Sequence, residues 1–145
     1  MKPSLLLRTT SVASFLFAGG HTLGGMKSWS PIGENDVLRA MRSFHFDVEG
    51  VSRTYLDFYL GFGFVLSVYL LLQAVLLWQL AKIADADPRR TRPLIASFSL
   101  ASVASGFLSW AFIFPVPVIF NAAIAACLAI TFYSSGGSKG VPAEG

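Results

Sequence analysis

The chain has 145 residues, 54% of them hydrophobic and only 13% charged, with a net charge of +3. Soluble domains carry about 25% charged residues, so this composition argues against an ordinary soluble domain and for one helical integral membrane domain. The eleven Lys and Arg residues flank apolar runs instead of forming a nucleic-acid patch. Cys127 is the single cysteine, so no internal disulfide is expected.

Lys2 and Arg8 open the chain, and the apolar run S-V-A-S-F-L-F-A-G-G leads to His21. A basic start and a short apolar core fit a signal peptide. No A-x-A site follows that core, so the residues favour an uncleaved first span over 4–23, with Arg8 snorkelling to the interface. Thr10, Ser14 and Ala18 recur four apart, a small-residue ridge that lets another helix approach.

Gly24 and Gly25 end that helix, and a long polar loop follows. Within it, E-N-D-V-L-R-A-M-R-S-F places Val37, Leu38, Met41 and Phe44 on one face of a short amphipathic helix. Next, His45, Asp47 and Glu49 alternate with Phe44, Phe46 and Val48, so an extended backbone would separate polar from apolar groups. His45, Asp47 and Glu49, with His21, offer two imidazoles and two carboxylates. H-x-D-x-E is nevertheless no specific metal signature, and no metal is expected there.

The second span, 54–83, is the longest apolar stretch. Phe58 to Ala81 carries no formal charge over 24 residues, or about 36 Å of helix against a hydrocarbon core of roughly 30 Å. Arg53 and Asp57 stand four apart at its start, the spacing of a helical ion pair. They fit an interfacial anchor or, with His21 at the same depth, a ligand-binding or proton-handling group. Gln73 lies near mid-membrane and is expected to hydrogen-bond a neighbouring helix.

A-D-A-D-P-R-R-T-R-P forms a basic turn before the third span, 94–114, in which Ser97, Ala101, Ser105 and Ser109 form a second small-residue ridge. Pro115 and Pro117 turn the chain into the fourth span, 116–133. There Ala122, Ala126 and Ile130 share one face, and Asn121 lies inside near the start. The polar tail, 134–145, is expected to be disordered.

The expected fold is thus an all-α membrane protein: a bundle of four transmembrane helices over 1–133, with a structured extracytoplasmic loop between the first two. Lys2, Arg8, Lys82, Arg89, Arg90, Arg92 and Lys139 fall on one side, so both termini are expected in the cytoplasm. Aromatic residues gather toward the outer half, suggesting an apolar pocket with a polar mouth. Its expected ligand-binding residues are His21, Arg53, Tyr55, Asp57, Tyr59, Trp110 and Asn121.

G-H-T-L-G, A-M-R-S-F-H-F-D-V-E-G-V-S-R, D-F-Y-L-G-F-G and L-L-Q-A-V-L-L-W-Q-L together resemble a family of small bacterial four-span membrane proteins without established function. L-L-L-R and F-L-F-A-G-G also resemble the start of DoxX-type membrane proteins, some linked to quinone redox, although that family's glutamate-glycine signature is missing from the second span. The resemblance implies a bacterial inner membrane and supplies no catalytic residues. No nucleophile motif, phosphate loop or CxxC occurs, so no cofactor is expected and catalysis stays open. Two functions fit: binding a lipid-like, isoprenoid- or quinone-like molecule, or serving as an accessory or scaffold subunit. Expected partners are membrane lipids and, through the small-residue ridges, a second copy or another membrane protein. No nucleic-acid partner is expected.

Overall fold

The computed structural model describes residues 2–136 and is mostly helical, at 81%. Its elements are α1 (Pro3–Gly25), α2 (Asp36–Ser43), β1 (His45–Val48), β2 (Val51–Thr54), α3 (Tyr55–Ala86), a 3-10 turn (Pro88–Thr91), α4 (Arg92–Phe112) and α5 (Pro115–Gly136). Three helical stretches are long and apolar enough to cross a membrane: Tyr55–Ala86, Pro88–Phe112 and Pro115–Gly136. α1 covers the expected first span but is not among those three, because Arg8 and a run of Thr, Ser and Gly dilute its apolar character. α5 runs three residues into the expected tail. Ser134 and Ser135 each donate their hydroxyl to the carbonyl four residues back, at 2.8 Å, which satisfies these polar side chains within the helix. The remainder of that tail, 137–145, lies outside the described residues.

The chain divides into two compact units, Met1–Phe17 with Leu72–Gly145, and Ala18–Leu71. In the first unit the small face of α1 is buried: Thr10 and Ser14 are fully enclosed. The Ser11 hydroxyl donates to Ala74 O of α3 at 2.6 Å, and Gln73 Nε2 donates to Ser14 Oγ at 3.1 Å. The interhelical bond expected of Gln73 is therefore present. α4 and α5 pack against each other, and the 3-10 turn packs on both. The faces they bury differ from the expected ones. α4 buries Ile95, Ser102 and Ser109, a spacing of seven, and leaves Ser97, Ala101 and Ser105 exposed. α5 buries Asn121, Ile124, Leu128, Thr131 and Ser135, while Ala122, Ala126 and Ile130 face outward. The inner faces mix branched residues that fill the interhelical space, Ile95, Ile124 and Leu128, with small serines that let the helices approach.

In the second unit α2 forms as the amphipathic pattern requires. Asn35 caps it, its Oδ1 accepting from Val37 N at 3.0 Å and Leu38 N at 3.1 Å. Only Leu38 is buried; Val37 is 68% exposed. The alternating segment is extended, as expected, but as one arm of an antiparallel hairpin pairing His45 with Thr54 and Val48 with Val51. Its two-residue loop holds Glu49 at φ 50° and Gly50 at φ 80°, the left-handed backbone that tight hairpins use. Glu49 therefore leaves the His45–Asp47 face.

Candidate ligand groove

The seven expected ligand-binding residues fall in two units. His21, Arg53, Tyr55, Asp57 and Tyr59 belong to one unit, and Trp110 and Asn121 to the other.

The Arg53–Asp57 pair does not form, because helical spacing applies only inside a helix. Arg53 lies on β2, its Nη1 donating to Ser52 O at 3.0 Å, and α3 starts at Tyr55. Asp57 instead closes a capping box with Thr54. Its Oδ2 accepts from Thr54 N at 2.8 Å and Thr54 Oγ1 at 2.9 Å, and Asp57 N donates back to Thr54 Oγ1 at 3.1 Å. These bonds satisfy backbone donors that a helix start leaves unpaired. T-x-x-D is the sequence signal for that arrangement, and it outranks the ion-pair reading. Asp57 is thus the start signal of α3, and Tyr55 stacks its ring near Phe44 and Phe46, at 5.6 and 4.9 Å between centroids.

His21 is also engaged away from Asp57. Its Nε2 donates to Gly63 O at 3.1 Å, six residues further along α3. Trp29, which nothing in the local sequence marks, packs against His21 and Tyr59. Its Nε1 donates to His21 O at 2.9 Å, and its ring lies 5.0 Å from His21, 5.2 Å from Phe64 and 5.9 Å, edge-on, from Tyr59. Gly24, Gly25 and Gly63 leave room for it: a Cβ at Gly25 would meet the indole at 2.6 Å, and one at Gly63 would overlap Cη2 and Cζ3. Tyr59 and His21 are walls of a filled cluster.

The weak metal candidates His45, Asp47 and Glu49 are no closer to a site. His45 Nδ1 faces Ser43 O at 3.0 Å. Among the described residues no group of three His, Cys, Asp or Glu is placed to hold a metal.

An open groove lies in the other unit, between α4 and α5, with a cavity volume of about 320 Å³. Ser102, Val103, Gly106, Phe107 and Trp110 line it from α4, and Val118, Asn121, Ala122 and Ala125 from α5. Gly106 lets the helices approach closely; a Cβ there would stand 3.3 Å from Asn121 Cβ. Trp110 is 73% exposed and Asn121 only 6%, so the groove has an aromatic rim and an amide floor. The Ser102 hydroxyl is committed to Phe98 O at 2.9 Å. Asn121 donates through Nδ2 to Pro117 O at 2.9 Å, which leaves its carbonyl oxygen as an acceptor. The groove therefore suits an apolar chain carrying at most one hydroxyl or similar donor. Comparison with protein-family models, curated proteins and solved structures finds no match for the chain.

Proposed function

We propose that the protein is a four-span membrane protein that holds a lipid-like molecule, an isoprenoid- or quinone-like chain, in the groove between α4 and α5. The apolar groove with a single amide at its floor carries this reading. Its helices are apolar enough to lie in a membrane, where acyl and isoprenoid chains are the abundant occupants. Its volume falls near the low end of the roughly 300–1,000 Å³ typical of ligand pockets, which suits one chain and not a bulky polar ligand. The kinship with small bacterial four-span proteins belongs to the same proposal, with α1 as the fourth span. Lys82, Arg89 and Arg90 precede α4 and Arg92 begins it, which favours placing that end in the cytoplasm. The groove, rimmed by Trp110 near the other end of α4, then opens outward, and the loop with α2 and the hairpin is extracytoplasmic.

Extraction in mild detergent followed by native mass spectrometry tests this. Wild-type protein should carry a co-purifying molecule, and Ala122→Leu should lose most of it while keeping its helicity, because Ala122 is exposed. Equal retention in both would contradict the groove as the binding site. A scaffold role is the second reading. Ser97, Ala101 and Ser105 form an exposed small-residue ridge on α4 that another helix could meet.

A further inference from the structure

Arg92 is held by an aromatic ring and not by an acid. Among the described residues the acids nearest in sequence are both engaged: Asp85 pairs with Arg8 at 2.7 Å and Asp87 with Arg90 at 3.5 Å. Asp87 also accepts from the backbone N–H groups of Arg89 and Arg90. Arg92 pairs with no acid among the described residues. Its guanidinium lies over the Phe132 ring of α5, 4.2 Å from the centroid. A Cβ at Gly136 would come 3.5 Å from its Cζ and Nη1, so that glycine leaves the guanidinium space. Its Nε is buried without a hydrogen-bond partner.

Packing thus holds this guanidinium where an anion would usually do so. An arginine fixed on an aromatic face keeps its planar fork oriented and loses less freedom when it binds. The fork matches two oxygens of a phosphate. Arg89 and Arg90 add positive charge in the adjoining turn and Lys82 adds it in the last turns of α3, at the ends of helices apolar enough to cross a membrane. Basic clusters in that position attract anionic headgroups.

We propose that Arg92, seated on Phe132, is a phosphate-binding residue that takes the headgroup phosphodiester of an anionic phospholipid. This rests on the helices lying in a membrane, but not on the groove.

The test titrates detergent-solubilised full-length protein with short-chain phosphatidylglycerol, phosphatidylcholine or inorganic phosphate and follows the melting temperature. Phosphatidylglycerol should raise it with concentration, as a ligand of the folded state does. Phosphatidylcholine and phosphate should do so little. Arg92→Gln should weaken the apparent affinity roughly tenfold, the loss of one charge-assisted contact, and Arg89→Gln much less. Arg92→Lys guards against misfolding of the Gln variant. It keeps the charge and loses the fork, and should weaken binding similarly. A phosphatidylglycerol response unchanged in both Arg92 variants would overturn the site. Phosphate acting as strongly as the lipid would overturn the lipid assignment. Ala122→Leu should leave this response intact, which separates it from the groove.

Discussion

Gly63→Ala should destabilise the protein by about 2–3 kcal/mol, a large cost for one added methyl. The new Cβ would occupy the position of Trp29 Cη2 and Cζ3, so the indole must leave its place. It would then forfeit its bond to His21 O and its ring contacts with His21, Phe64 and Tyr59. The backbone is already committed to that placement. Ser28 and Trp29 hold φ at 54° and 46°, and each left-handed residue costs roughly 1–2 kcal/mol. Burial of the indole offsets that strain, so Trp29→Ala alone should cost about 3 kcal/mol. If the methyl acts only through the indole, the two substitutions are coupled. Gly63→Ala added to Trp29→Ala should then cost almost nothing further. Thermal melts followed by circular dichroism on the two single variants and the double variant measure this. Additive losses would show that Gly63 has a role unrelated to Trp29.

Leu128→Ala should be the most damaging of the conservative changes in α5, at about 2 kcal/mol. Leu128 is fully buried beside Ile124 on the inner face. A helix separated in lipid still has apolar surroundings, so only packing and cavity terms are lost. That places the cost at the low end of the range for such truncations. Ala126→Leu, on the exposed face, should change stability by less than about 0.5 kcal/mol. Unfolding in graded denaturing detergent ranks the pair; a larger loss from Ala126→Leu would invert the assignment of faces.

The long helices were legible in the sequence because apolar runs bounded by Arg, Pro and Gly leave little choice of structure. α2 was legible from its amphipathic pattern, and the Gln73 bond from the cost of a lone polar group among apolar neighbours. Which face of α5 turns inward was not legible. Alanines and larger residues both recur at helical spacing, and only the shape of the neighbouring helix decides between them. The first turn of α3 was misread for a local reason: T-x-x-D and R-x-x-x-D overlap at Asp57, and the capping box wins because Arg53 is already extended. The candidate site was least legible of all. Trp29 sits in a turn without periodicity and reaches Gly63 only through the fold, so its packing with His21 and Tyr59 has no sequence signal. Trp110 and Asn121 both line the groove between α4 and α5, where the spacing of neither residue in its own helix shows that the two helices meet.

Every outward apolar face of a helix in a membrane touches lipid, so binding in the groove must be separated from contact with the surroundings. Photolabelling of membrane-embedded protein with a diazirine-bearing isoprenoid chain, read by peptide mass spectrometry, does this. Adducts should concentrate on Val103, Phe107, Trp110 and Ala122, be competed away by unlabelled chain and be lost in Ala122→Leu. Labelling spread evenly over other exposed apolar positions such as Val65, Tyr69 and Val75, with no competition, would contradict binding in the groove.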